Sequence, residues 1–353
     1  MNREAEAEGL IQVGEGCVGA GYLRFVLMAF VCFWSLGFPE PTGIVTTISG
    51  FAIPSFYILS GYFILVEDRM ERFEKYRRKI LRSLFLFLFL CAFYAIANTV
   101  LFIAGNISFS FSLRTVFNFL VLNLWPLPIG SNIWFVQAAL IAYLLIALAD
   151  RLGLMRFYKV ALVLTMVFML LTGELAGVIH LNLFGYGVIP GNWLTRAIPY
   201  ILLGKFLREK RESLKKVPRW VYPVLWVLGA GLTVGEILLL GRTGNLVYQG
   251  HMFGFGVMAV AACSLAVTSF RETGPGITFF DSAMSGIIYI FMDPLYYGIG
   301  MLIGSSNLEY CTYVSEFLAL GVSVLLAFAL RNTFLARWFF TNREPLPEMP
   351  GEN

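Results

Sequence analysis

The sequence predicts an all-α fold: a polytopic membrane helix bundle of about ten transmembrane helices, with cytoplasmic N- and C-termini. Three observations carry this expectation. The chain is 58% hydrophobic and only 14% charged, with a mean hydropathy of +0.74, far from the balance of a soluble globular domain. Apolar segments long enough to cross a hydrocarbon core of roughly 30 Å recur along its length. Lysine and arginine gather in alternate loops, as short cytoplasmic loops collect them.

In chain order, residues 1–18 contain acids and lack an apolar region with a cleavage site, so they read as a cytoplasmic N-terminal segment rather than a removable signal peptide. Residues 20–38 and 44–65 form the first two spans. The loop after them holds Arg69, Arg72, Lys75, Arg77, Arg78 and Lys79, and Arg82 follows at once. Spans 80–104 and 133–149 flank a long outer stretch, within which Ser108 to Leu124 is apolar enough to lie in the interface or re-enter the membrane. Arg151, Arg156 and Lys159 mark the next inner loop. Spans 157–173 and 192–207 are joined outside by the Gly/Asn/Pro-rich stretch Gly173 to Asn192. Arg208, Lys210, Arg211, Lys215, Lys216 and Arg219 place the following loop inside. Spans 220–241, 252–270, 283–304 and 312–333 complete the set, with Arg271, Arg331, Arg337 and Arg343 inside. The transmembrane domain thus runs from 19 to 334, and 335–353 form a cytoplasmic tail whose end, EPLPEMPGEN, reads as disordered.

This distribution accounts for the net charge of +4, which therefore argues for no nucleic-acid partner. The five cysteines show neither metal-ligand spacing nor a disulfide framework, and the two histidines, His180 and His251, sit near outer span ends. No metal site is expected.

Arg24 stands inside the first span, where a guanidinium costs roughly 2.5 to 3.5 kcal/mol at mid-bilayer, so it is a functional candidate by default. Ser35 follows eleven residues later, within about 20° of the same helix face and displaced by roughly 16 Å. One face therefore carries a cation near one side of the membrane and a hydroxyl near the other. Snorkelling would also explain Arg24, and close helix packing would explain Ser35.

Further patterns accompany this pair. Span two reads Ile53-Pro54-Ser55-Phe56-Tyr57-Ile58-Leu59-Ser60-Gly61-Tyr62-Phe63-Ile64. Tyr76-Arg77-Arg78-Lys79-Ile80-Leu81-Arg82 opens span three, and Ile133-Trp134-Phe135-Val136-Gln137-Ala138 opens span four. Span six begins near Arg196-Ala197-Ile198-Pro199-Tyr200, and Tyr289-Ile290-Phe291-Met292-Asp293-Pro294 lies in span nine. From about Leu23 to Phe328 the chain resembles the acyltransferase 3 family, integral membrane O-acyltransferases of surface polysaccharides, peptidoglycan, lipids or small molecules.

The resemblance implies a multi-pass protein of the bacterial cytoplasmic membrane that moves an acyl group, acetyl above all, from acyl-CoA to a hydroxyl of a cell-envelope glycan or glycolipid. Acyl-CoA is the donor substrate, and no bound cofactor is implied. In the family the first-helix pattern is arginine, ten residues, then histidine, and a second histidine lies in the span-nine pattern. Ser35 and Met292 occupy those positions here. Histidine suits the task because a base must remove the alcohol proton as the thioester is attacked. A serine needs an adjacent base, for which Asp293, Glu236 and Glu316 are the candidates. The implied assignment is Ser35 and Asp293 as catalytic residues. Arg24, Ser60, Arg77, Arg78 and Arg82 bind the donor, and Trp134, Gln137, Arg196 and Met292 line the acceptor site. Loss of both histidines leaves a second reading open, a catalytically inactive relative acting in transport or export.

Overall fold

Hydrocarbon offers the backbone no hydrogen-bond partners, so a chain this apolar must satisfy its amides internally, and it does so with helices. The computed structural model describes residues 18–36, 43–103, 112–127, 129–181, 191–245, 252–269, 282–304, 311–330 and 333. These form α1 (Val18–Leu36), α2 (Ile44–Ser49), α3 (Ala52–Ile64), α4 (Arg69–Ile103), α5 (Leu113–Leu122), α6 (Trp134–Arg151) and α7 (Tyr158–Thr172). They continue with α8 (Ile198–Glu209), α9 (Arg211–Lys215), α10 (Val221–Arg242), α11 (Phe253–Ser269), α12 (Ser282–Gly304) and α13 (Cys311–Leu330), and no strand occurs among the described residues. The segments 1–17 and 334–353, with the expected cytoplasmic termini, lie outside the described residues, as do His251, Arg271, Arg331, Arg337 and Arg343.

Six described helices are long and apolar enough to cross a membrane: Ile44–Ile64, Arg69–Ile103, Trp134–Arg151, Leu154–Thr172, Val221–Arg242 and Ser285–Ile303. Gly19–Ser35, Phe253–Thr268 and Val314–Leu330 are apolar but shorter. The expected span at 192–207 divides into a π-helical turn, Trp193–Ala197, and the 12-residue α8. At about 1.5 Å per residue α8 reaches only about 18 Å.

The basic run that the sequence assigns to a loop is helical instead. α4 extends over 35 residues, about 52 Å, so its first turns project beyond a hydrocarbon core. Local chemistry explains the extension. Asp68 accepts the Glu71 amide at 2.7 Å, and Lys75 pairs with Glu71 at 2.7 Å and Arg78 with Glu74 at 2.9 Å, both at i,i+4 spacing.

α3 is the axis of the bundle, with most of its residues buried, and it contacts α1, α8 and α11. α1 also packs on α11 and α12, α4 packs on α6, and α10 and α13 cover α11 and α12 respectively. The outer helices expose large apolar side chains, among them Ile96 and Val100 of α4, Val163 and Leu164 of α7, and Val227 and Leu239 of α10. Such faces suit lipid, not water. α5, within the stretch read as interfacial, buries none of its residues and exposes Leu113, Phe117 and Leu120.

Between α3 and α8 the backbones approach so closely that only glycine fits. A Cβ on Gly61 would overlap the carbonyl oxygen of Ile201, and one on Gly204 would overlap that of Ile58. Small residues at helix contacts let dispersion act over a long seam where no hydrophobic driving force operates. Gly61→Ala is therefore expected to lower stability by at least about 1–3 kcal/mol, the usual cost of overpacking. Gly231→Ala, whose Cβ would meet open space, should shift the detergent melting temperature little. Equal melting of the two variants would contradict this packing.

Candidate functional site

α1, α3, α4 and α6 converge at the end of the bundle that holds the α3–α4 junction. The Arg24 guanidinium stacks over Phe63 at 5.3 Å, so an aromatic face on α3 meets the cation of α1. Lys79 and Arg82, one turn apart on α4, lie within Coulombic reach of each other, and Lys79 also of Arg24. Ser60 hydrogen-bonds Tyr143 of α6 at 2.5 Å, and Tyr143 in turn is close enough to Arg24 to feel its charge. Of the residues assigned to the donor, Arg24 and Ser60 are thus gathered at one place through Tyr143, while Arg82 stands within Coulombic reach of Lys79 and Arg78 on α4. Arg77 and Arg78 turn to Glu74 at 3.7 and 2.9 Å, with exposed side chains on the outer face of α4.

A second cluster surrounds Arg196. Asn192 caps the π-helical turn by accepting the Leu194 amide at 2.8 Å, and that turn places Arg196 in the bundle interior. Its guanidinium lies over the Trp134 ring at 4.6 Å. Tyr57 and Tyr200 are within its electrostatic reach, and Tyr57 stacks on Phe135 at 4.6 Å. Trp134 and Arg196, both assigned to the acceptor, therefore meet. Gln137 faces elsewhere: its amide donates to Phe119 O at 2.6 Å and ties α5 to α6.

Met292 is fully buried, with Cys32 Sγ 3.5 Å from its sulfur. Asp293 is buried beside it, within reach of Cys32, Tyr94 and Tyr289. Pro294 explains part of this neighbourhood. Lacking an N–H, it cannot bond the carbonyl four residues back, that of Ile290, and Tyr94 donates to that oxygen at 3.1 Å. Ser35, one turn beyond Cys32, is exposed at the end of α1.

At that end Trp34 meets Phe255 edge-on at 6.0 Å. The first turn of α11 binds two carboxylates: Glu174 accepts the Phe253 amide at 3.0 Å and Glu236 the Gly254 amide at 3.4 Å. Burial pushes the Glu174 carboxyl above the usual glutamate range, against the Phe253 hydrogen bond that lowers it. Glu236 thus shares a bundle end with Ser35. Glu316 is buried on α13, where Oε2 has no hydrogen-bond partner among the described residues, and Tyr296 is near it. His180 lies in a left-handed turn at φ 54° with an exposed side chain.

Sequence reasoning missed Tyr143, Tyr94 and Glu174. The first two pair with groups 83 and 196 residues away, so no local spacing announces them. Glu174 had a signal, an acid in an otherwise uncharged outer stretch.

A family model described as an acyltransferase domain matches residues 19–331. No curated protein and no solved structure matches the chain.

Removing the hydroxyl in Tyr94→Phe leaves the Ile290 carbonyl unpaired in the interior. The expected loss is about 1–3 kcal/mol of stability, read as a lower melting temperature in detergent. A Tyr94→Phe protein that melts with wild type would show that the carbonyl finds its partner elsewhere.

Proposed function

The chain belongs to the acyltransferase 3 family, and on that premise we propose that it is an O-acyltransferase of the bacterial cytoplasmic membrane. It would move an acyl group, acetyl in the first instance, from acyl-CoA to a hydroxyl of a cell-envelope glycan or glycolipid. One observation carries the donor half of this reading: Arg24, stacked on Phe63, lies beside the Ser60–Tyr143 pair and within electrostatic reach of Lys79 on α4, whose neighbour one turn on is Arg82. Guanidinium groups match phosphate oxygens in charge and in donor geometry. Cations gathered from α1 and α4 would hold the donor's phosphates, and the Ser60–Tyr143 hydroxyls would lie beyond them along the same face.

The reaction needs three events: attack of the acceptor hydroxyl on the thioester carbonyl, departure of the CoA thiolate, and transfer of the hydroxyl proton. Ser35 would orient the acceptor hydroxyl. Two carboxylates compete to take the proton. Asp293 sits inward beside Met292, whereas Glu236 of α10 lies at the Ser35 end, accepting an amide from the first turn of α11. Trp134 and Arg196 offer the acceptor an aromatic face and a charge. Ten spans with both termini inside would put the Arg24 end at the cytoplasm, where acyl-CoA is, and the Ser35 end outside.

A second reading keeps the scaffold without the chemistry, in a transport or export role. It is favoured by Met292, whose thioether fills the interior against Cys32 and can move no proton.

Purified protein in liposomes, given labelled acetyl-CoA and envelope extract, should transfer label to glycan. Arg24→Ala should cut that transfer roughly 10- to 100-fold, the worth of a charge-assisted hydrogen bond. An inert parent that gains transfer through Ser35→His with Met292→His is a degenerate enzyme. No transfer from either protein would leave the transport reading.

A further inference from the structure

A charged cleft lies apart from the Arg24 cluster. It has a volume of about 690 Å³ and is walled by the start of α4, the α6–α7 junction and the last turns of α8. Six basic side chains line it against two carboxylates, Asp150 and Glu209. Both acids are already committed. Asp150 takes Arg72 in a two-point fork, Nε to Oδ2 at 2.5 Å and Nη2 to Oδ1 at 3.0 Å. Glu209 accepts the Tyr158 hydroxyl and pairs with Lys205 at 2.9 Å and Lys159 at 3.4 Å.

Three guanidinium groups remain, those of Arg69, Arg151 and Arg156. Arg69 and Arg156 meet only the aromatic faces of Phe73 and Phe157, at 5.6 and 4.7 Å, and none of the three has a carboxylate partner among the described residues. Gly153, at φ 73°, turns the chain sharply between Arg151 and Arg156, and the start of α4 brings Arg69 to the same rim. The wall behind them is fixed, since Arg72 also donates to the carbonyls of Val66 at 2.7 Å and Glu67 at 3.0 Å. Positive-inside anchoring accounts for cations in these loops, but it does not require them to line a common cleft of ligand size. Leu152 and Met155 add an apolar patch to the same wall.

We propose that this cleft is a phosphate-binding site, separate from the Arg24 cluster, in which Arg69, Arg151 and Arg156 grip the phosphate oxygens of a ligand with an apolar portion. Two sources present that chemistry: the phosphorylated nucleotide end of an acyl-CoA, and the headgroup of an anionic phospholipid. The proposal does not depend on acyl transfer.

The test uses the full-length protein in nanodiscs of zwitterionic lipid and follows thermal unfolding. One arm adds adenosine 3′,5′-bisphosphate, and the other replaces part of the lipid with phosphatidylglycerol. Stabilisation that depends on Arg69, Arg151 and Arg156 identifies a nucleotide in the first arm and a lipid in the second, and either supports the site. Arg69→Gln/Arg151→Gln/Arg156→Gln should weaken the responding arm by at least about tenfold in apparent affinity. Arg24→Ala should retain it, which separates this cleft from the donor cluster. The proposal is overturned if neither probe raises the melting temperature, if the triple variant responds as wild type does, or if Arg24→Ala abolishes the response.

Discussion

The seam between α3 and α8 is the contact on which the rest of the architecture depends. Gly61 and Gly204 remove the side chains that would hold the two backbones apart, each facing a carbonyl of the other helix. α3 brings to that seam Ser60, which bonds Tyr143, and Phe63, which lies under Arg24. α8 brings Arg208, which donates to the Tyr62 carbonyl at 3.0 Å near the end of α3, where helical amides run out. Separating the helices would break the Arg208 bond and release the α3 turn that carries the other two contacts. The pattern Ser60-Gly61 therefore joins two functions in adjacent residues, a hydroxyl turned to the site and a bare backbone turned to a neighbour.

A second constraint is the cost of charge against an apolar bundle, and two devices meet it at Arg196, Arg24 and Arg72. Arg196 is covered by the Trp134 ring and Arg24 by the Phe63 ring. Arg72 is neutralised by both oxygens of Asp150. The same accounting applies to the backbone: Pro294 frees the Ile290 carbonyl and Tyr94 occupies it. Asn98 accepts the Ile129 amide at 3.0 Å and donates to the Ile129 carbonyl at 2.9 Å, which ties the irregular stretch before α6 to α4. Among the described residues Glu316 departs from this pairing, since its buried Oε2 meets no hydrogen-bond partner.

The helical class and the run of apolar segments were legible because hydropathy acts locally, residue by residue. Arg24 was legible for the same reason, as an obvious cost in an apolar run. The basic segment after α3 was misread as a loop because charge suggests exposure, while its i,i+4 pairing between Glu71 and Lys75 and between Glu74 and Arg78 makes it helical. The break at Trp193–Ala197 was hidden in an apolar window. What no pattern could supply was the pairing across the bundle, Ser60 with Tyr143 or Cys32 with Met292, since those partners are set by packing and not by spacing. Motif resemblance pointed to Arg77 and Arg78 for the donor, whereas the geometry turns them toward Glu74 and leaves Lys79 near Arg24.

The central claim is that the donor is held where α1, α3 and α4 meet. A structure of the protein with a non-hydrolysable acetyl-CoA analogue tests it most directly. The account predicts phosphate density against Arg24, Lys79 and Arg82, with the thioester mimic beyond the Ser60–Tyr143 pair toward the Ser35 end of α1. An analogue bound away from Arg24, or a protein that binds none, would contradict it.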